Sequence, residues 1–375
     1  SELPHVNLGM ERGDGAGNDT GKNVARARRG KGGRTACGNQ NALDANNRRL
    51  VAQGLKRLRA HAQPAGIASL FVAAGRQAKV ATTFDFGFAL GPRINAAGRL
   101  ADMTLGIECL LTDDPGRADE LAKTLDTINR ERREIEGGMR EQAMLISESM
   151  FVDEDTPPAA ISVFDADFHE GVVGIVASRI KDKLHRPTFV FAASKAPGKG
   201  HEYKGSGRSI AGFHLRDALD LVAKRHPGVL LRFGGHAAAA GCTVAREQFD
   251  VFAQALAQVA SEWLDAATLQ RTIHTDGALP AQYRNTATAA LLQQEVWGQG
   301  FDAPVFSEEM QVLQQRLLKD KHLKLQLRHQ GELVDAIWFN RTAPLPEHAH
   351  IAYRLDINEW NNQQRVQFIV EAAQE

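Results

Sequence analysis

Between Pro115 and Met150, apolar side chains recur at three, four or seven residues: Leu121, Leu125, Ile128, Ile135, Met139, Ala143, Ile146 and Met150. That spacing predicts one amphipathic helix. Arg130 to Arg133, with Glu134, Glu136, Arg140 and Glu141, cover its other face. Pro115 suits a first helical turn. A helix over 115–150 would span about 50 Å, so it reads as a connector between two domains. Gly137-Gly138 is the place for a bend. The charged face reads as solvated surface, with no chemistry assigned to it.

Beyond the connector the period changes. Thr156-Pro157-Pro158 opens a second region. Apolar runs predict strands at 159–164, 187–192, 206–210, 229–233 and 237–244. Helical spacing predicts helices at 171–184, 214–225 and 246–264 between and after them. Strand–helix alternation of this kind makes an α/β domain. After Arg271 the texture shifts to short strands with little helix, at 312–318, 322–328, 333–339, 351–356 and 364–370. Five such strands suit a small barrel. The segment Asn358-Glu359-Trp360-Asn361-Asn362 reads as an exposed turn between the last two.

Upstream of the connector, residues 44–114 alternate short helical patterns with turns. Leu50, Leu55 and Leu58 keep near-helical spacing, with Arg48, Arg49, Lys56, Arg57 and Arg59 mostly on other faces. The step Gly91-Pro92-Arg93 is expected to end an element. Asn95-Ala96-Ala97-Gly98 reads as a small-residue turn flanked by Arg93 and Arg99. Residues 1–41 differ in kind: they are rich in Gly, Asn and Arg and poor in large apolar residues. Such composition cannot offset chain entropy by burial. Three readings apply: a disordered tail, a basic nucleic-acid-binding arm around Arg26-Ala27-Arg28-Arg29-Gly30-Lys31, or unrelated sequence from a shifted reading frame.

Composition narrows the class only modestly. The chain has 375 residues, enough for two or three domains. Its 45 basic and 45 acidic residues balance, so any polyanion site must be a local patch. Cys37, Cys109 and Cys242 are scattered, with neither disulfide nor zinc spacing, which suits a reducing cytosol. There is no run of about 18 apolar residues, so a cytoplasmic protein that does not enter a membrane is expected.

Chemistry concentrates in two stretches. Lys204-Gly205-Ser206-Gly207-Arg208-Ser209 combines glycines with four donor side chains. Gly234-Gly235-His236-Ala237-Ala238-Ala239-Ala240-Gly241 follows downstream. Successive backbone N–H groups beside glycine form concave anion sites, and an arginine such as Arg208 grips a phosphate with two parallel hydrogen bonds. A lone Gly-Ser-Gly is usually a tight turn. Two such loops, one basic and one carrying His236, point to a polyanion site. Asp165-Ala166-Asp167 also has metal-ligand spacing, though it falls at a strand exit.

Those two stretches resemble the DHHA1 signature of the DHH phosphoesterase superfamily. Leu90-Gly91-Pro92-Arg93-Ile94-Asn95-Ala96-Ala97-Gly98-Arg99-Leu100, Gly171-Val172-Val173-Gly174-Ile175-Val176-Ala177-Ser178-Arg179 and Leu355-Asp356-Ile357-Asn358-Glu359 narrow the resemblance to the RecJ-like exonucleases, from about Ala42 to near the C-terminus. The resemblance implies 5′→3′ hydrolysis of single-stranded DNA in repair and recombination, with Mn²⁺ or Mg²⁺ as cofactor. It also favours a helix over 84–90. It further implies an α/β fold: a remnant of the DHH domain at 42–114, the connector at 115–150, a DHHA1 domain at 151–268 and an OB-like barrel at 269–375. Phosphate or DNA contacts would fall to Arg93, Arg99, Lys204, Ser206, Arg208, Ser209, Gly234, Gly235, His236 and Trp360. For Arg93 and Arg99 an acidic neighbour is the equal alternative; for His236, a structural role in its loop. In the barrel, Trp338, Phe339, Tyr353 and Trp360 would stack bases beside Arg316, Lys319, Lys321, Lys324 and Arg328.

The family's Asp-His-His motif does not occur in the chain. The sequence therefore reads as the DNA-gripping part of a RecJ-like enzyme, holding no metal and naming no catalytic residue. The alternative is a non-catalytic module for single-stranded DNA or a protein partner. A DHHA1-bearing hydrolase of short oligonucleotides or aminoacyl-tRNA is a third reading; the barrel and the Gly-Pro-Arg-Ile-Asn-Ala-Ala-Gly-Arg segment argue against it. Single-strand-binding protein and a helicase are the expected partners of a monomer.

Overall fold

The computed structural model describes residues 43–151, 158–298, 300–360 and 363–374. The stretch 1–41, with its three readings, lies outside the described residues. Two compact units are present: residues 50–271, and residues 272–374 together with 43–49.

The first unit opens with helices. α1 (Ala45–Arg59) buries Leu55 and Leu58, whereas Leu50 faces solvent. α2 (Ala65–Ala73) follows. α3 (Thr83–Asp85) starts on a reciprocal Thr82–Asp85 capping box. It runs through a π-helical turn at Phe86–Leu90 into α4 (Gly91–Leu100). The chain therefore does not break at Gly91-Pro92 as the sequence suggested, and Asn95–Gly98 is helix rather than turn. Pro92 follows directly on the wide turn, in the first turn of α4. The N–H of Gly91 closes the wide turn onto the Phe86 carbonyl, and a Cβ there would meet that oxygen at 2.9 Å. α5 (Thr104–Leu111) leads to α6 (Pro115–Ser149), whose first turn is capped by Asp114 accepting from the Gly116 N–H. α6 passes through Gly137-Gly138 as one unbroken helix. It packs on α2, α4 and α5 and reaches α7 of the sheet domain.

That domain holds β1 (Ile161–Phe164), α7 (Val173–Leu184), β2 (Thr188–Ala193), β3 (Glu202–Arg208), α8 (Leu215–Arg225), β4 (Leu230–Gly235), β5 (Ala239–Ala245) and α9 (Phe249–Trp263). The sheet order is β1-β2-β3-β5-β4; β1 and β2 are parallel, as the α7 crossover requires, and the rest antiparallel. Alternation on β2 divides the core between two faces. Val190 and Ala192 pack with Val176 and Ile180 of α7 and Met139 of α6. Phe189 and Phe191 pack with Leu219 of α8 and Phe252 of α9. β3 starts at Glu202 rather than Ser206, because Glu202 pairs with Ala245 and Tyr203 with Ala193.

The second unit carries α10 (Thr286–Gln294) and a closed barrel of β6 (Phe306–Leu318), β7 (His322–His329), β8 (Glu332–Trp338), β9 (His348–Trp360) and β10 (Gln363–Gln374), ordered β10-β8-β7-β6-β9. Residues 358–360, read as turn, are strand: Asn358, Glu359 and Trp360 pair with Arg365, Gln364 and Gln363. No helix among the described residues is long and apolar enough to cross a membrane.

Candidate nucleic-acid interface

β3 carries two messages, one on each side. Lys204, Ser206 and Arg208 alternate with Gly205 and Gly207, so the donors share one face and the glycines the other. The glycines do not make room for a ligand. A Cβ on Gly205 would stand 2.3 Å from the Phe191 ring, and one on Gly207 2.4 Å from the Phe189 ring. They are absent side chains that let two phenyl rings pack beneath the strand. On the donor face, Ser206 lies level with Gly241 of β5, and Gly241 with Gly234 of β4. Gly234 and Gly241 are exposed, giving a bare strip of backbone beside the donors.

Arg208 is half-buried. Its Nη1 donates to Ser206 Oγ (3.1 Å) and to its neighbour's carbonyl, Gly207 O (2.8 Å). The first turn of α7 closes over it: a Cβ on Gly174 would meet Ser206 Oγ at 2.8 Å and Arg208 Nη2 at 2.9 Å. Arg99, from α4, donates Nη1 to Gly171 O (3.0 Å) at the entrance to the same helix. Burial, then the charge of Arg99, pulls the Arg208 pKa below its ordinary value. Burial and Arg132 do the same to Arg99, with Glu136 partly offsetting them. Among the described residues neither Arg99 nor Arg208 has a carboxylate at ion-pair distance.

The other expected residues divide. Arg93 is buried in α4, with Nε and Nη2 on Asp126 Oδ1 (2.9 and 2.8 Å) and Nη1 on Ala89 O (2.7 Å). It takes the acidic-neighbour role, and its guanidinium has no face left for phosphate. Lys204 is on the donor face but paired with Glu170 (2.9 Å). Ser209 spends its hydroxyl on Phe213 O (2.6 Å), closing the turn after β3. Gly235 has φ +143°, and a Cβ would meet Ala240 Cα at 2.4 Å, so the hairpin demands glycine there. His236 is exposed at the hairpin tip, its backbone N–H on Ala239 O (2.8 Å).

Two groups escaped the sequence reading. His169 precedes α7, and its Nδ1 accepts from the Gly171 N–H (3.1 Å). Burial, then the charge of Lys195, lowers its pKa, with Glu170 opposing. On α6, Asn129, Arg132 and Glu136 are buried, contrary to the expectation of a purely solvated charged face. The signal was present: 125, 129, 132, 136, 139 and 143 follow one helical stripe, so these polar residues interrupt the apolar one.

In the second unit, Tyr353 is no stacking platform. It is fully buried against Phe368 (3.9 Å between centroids) and donates its hydroxyl to buried Glu308 (2.5 Å). Glu308 also accepts from Leu279 N (3.1 Å) and pairs with buried Arg284 (2.6 Å). Phe339 is exposed, edge-on to His322, and Arg341 lies over the Trp338 ring (4.9 Å). Arg316 and Lys324 are direct cross-strand partners on β6 and β7. The side chain of Trp360 lies outside the described residues.

Residues 156–262 match the DHHA1 domain model and residues 275–372 the RecJ OB domain model. The chain carries a DHHA1 domain and a RecJ OB domain. Around both, it is 44% identical to the single-stranded-DNA-specific exonuclease RecJ of Dickeya dadantii and 43% identical to that of Escherichia coli, each over 88% of this chain. The chain spans 58% of the length of those curated relatives. The crystal structure of Thermus thermophilus RecJ in complex with Mg²⁺ superposes with TM-score 0.73 and 28% identity, covering 89% of this chain and 50% of that one. Its Mn²⁺ complex gives 0.74 at the same identity.

The residues described in this RecJ-like chain do not fit a divalent metal of that kind. Among them, no three His, Cys, Asp or Glu side chains converge on a point an ion would fill. Asp165 turns its Oδ1 back onto the Asp167 N–H (2.9 Å), making a turn rather than half of a ligand pair.

Proposed function

We propose that this chain is the DNA-gripping portion of a RecJ-like 5′→3′ exonuclease, and that Arg99, Ser206 and Arg208 hold a phosphate near the 5′ end of single-stranded DNA. One observation carries the reading. Two half-buried guanidinium groups meet the N-terminal end of α7, Arg99 on the Gly171 carbonyl and Arg208 against Gly174, and neither has a carboxylate partner among the described residues. Cations at the positive end of a helix repel it, so the arrangement is completed by an anion shared between the arginines and the helix. The bare Ser206–Gly241–Gly234 strip gives the sugar–phosphate backbone a place to approach. Gly235 and His236 shape the hairpin beyond it, and Lys204 is a reserve cation once Glu170 releases it.

In this reading the residues hold and orient the strand, while Mn²⁺ or Mg²⁺, which would activate water and steady the scissile phosphate, is bound by parts outside those described. The stacked pair Phe84 and Phe88 (4.5 Å), 54% and 65% exposed, supports such a neighbour, as an apolar surface another domain would cover. The domain limits drawn from the sequence belong to the proposal. So do a cytoplasmic site of action in DNA repair, a monomeric state, partnership with single-strand-binding protein and a helicase, and stacking of bases on Phe339, Trp338 and Trp360 in the barrel.

The test is binding of a 5′-phosphorylated oligonucleotide across a salt series, followed by anisotropy. Arg208→Ala should weaken binding about tenfold or more and lower the log–log salt slope by about 0.7. Unchanged affinity and slope would sink the site. The second reading is a binding module for single-stranded DNA without cleavage. With Mn²⁺ added, this chain alone should bind the oligonucleotide and leave it intact. Digestion from the 5′ end would overturn that reading.

A further inference from the structure

The polar run inside α6 lies outside the phosphate grip, yet it is costly. Glu136 and Arg132 are both buried, and a buried ion pair is often no better for stability than apolar side chains of the same volume. Their connections lead to the site. Glu136 Oε2 accepts from Arg132 Nη1, and Oε1 accepts from Arg179 Nε of α7 at 3.2 Å. Arg132 also donates Nη2 to Asn129 Oδ1 at 3.2 Å. Arg99 lies within the field of both Arg132 and Glu136. Four guanidinium groups thus lie along α7 and the facing stretch of α6: Arg99 and Arg208 at the start of α7, Arg179 further along it, and Arg132 on α6. Of the four, Arg132 and Arg179 contact the Glu136 carboxylate, and Arg99 feels its charge.

Its two oxygens are not shared evenly. Both are taken by Arg132 and Arg179, and none reaches Arg99 or Arg208. We propose that Glu136 is a positioning residue that sets specificity in the phosphate grip: by occupying Arg132 and Arg179 it leaves Arg99 and Arg208 as the two cations free for a phosphate, and it ties α6 to the helix whose N-terminal end meets them. The ligand class is a terminal phosphomonoester, whose charge of up to two suits two half-buried guanidiniums better than the single charge of an internal phosphodiester. Without the carboxylate, Arg179, which is 56% exposed at its side chain, becomes a competing anchor for any phosphate along the strand. This inference rests on the phosphate site proposed above.

The experiment uses the whole chain and two oligonucleotides of one sequence, one with a 5′-phosphate and one with a 5′-hydroxyl, titrated across a salt series. Glu136→Gln keeps the volume and one acceptor but removes the charge. It should tighten binding of the hydroxyl oligonucleotide and cut the preference for the phosphorylated one by about fivefold, the upper end for a charge pair with an exposed member. Glu136→Asp should recover part of that preference. A role confined to stability would lower the melting temperature and leave the ratio of the two affinities unchanged, and that ratio, unchanged in Glu136→Gln, would overturn the inference. Should Glu136→Gln fail to fold, Arg179→Gln at its exposed position gives the second reading. It releases one carboxylate oxygen, and it should reduce the preference without tightening the hydroxyl oligonucleotide; an unchanged preference again counts against the role. If the unaltered chain has no preference for the phosphorylated end, it is the phosphate site itself that fails.

Discussion

At the scale of single residues, the same letter does different work on neighbouring positions. Gly205 and Gly241 both read as open backbone for a ligand, but only Gly241 faces the donor side. Gly205→Ala drives a methyl group into the Phe191 ring and should destabilise the fold by about 1–3 kcal/mol in chemical denaturation. Affinity for an oligonucleotide, corrected for the folded fraction, should not change, because the methyl lies on the other side of the sheet. His169 supplies a pH signature. Burial holds its pKa below the ordinary imidazole value of 6.5, so the folded state favours the neutral ring. The stability this contributes is present above that value and is lost as pH falls through the lower folded value. Melting temperatures between neutral pH and about pH 5 should therefore drop more for the unaltered chain than for His169→Gln, and parallel curves would exclude His169 as the source. Arg208 and Ser206 stood out in the sequence as donors of a glycine loop, but what puts them on one face is the period of two in β3, a strand rather than a loop. The role of Arg93 was not legible, because its fate depends on Asp126, 33 residues away on another helix.

At the scale of elements, hydrophobic period carried most of the reading. The 35-residue α6, the strands of the sheet and the five barrel strands fall where their patterns put them, with ends shifted by a few residues. What failed was local punctuation. Gly91-Pro92 looks like a stop, but a π-helical turn absorbs it, and nothing in the pattern of Phe84 to Leu90 announces a hydrogen bond from Gly91 back to Phe86. The buried charges of α6 were hidden by habit: a charged face is usually solvated, and only the stripe register contradicts that. The barrel has a comparable inner charge in Glu308, which answers Arg284, the Tyr353 hydroxyl and the Leu279 N–H. Burial, then its bond to Glu308, pushes the Tyr353 pKa far above the usual phenol range, so the hydroxyl stays a donor. Glu308→Ala strands Arg284 without a counter-charge and should destabilise the barrel by about 3–5 kcal/mol, read by denaturant unfolding. A loss below about 1 kcal/mol would mean that water reaches the vacated pocket.

At the scale of the whole molecule, the division of labour follows from where the sequence spends its charges. Balanced overall composition conceals local asymmetry: arginines from a helical segment and from a sheet converge at one end of α7, while acidic partners elsewhere are paired off. β3 lies at the centre of that arrangement, with a packed aromatic layer on one side and a cationic one on the other. Since its two sides alternate residue by residue, an inserted or deleted amino acid within 202–208 would exchange them, thrusting Lys204, Ser206 and Arg208 among Phe189 and Phe191 and turning glycines outward. The length of this strand is therefore as tightly constrained as its two inward glycines.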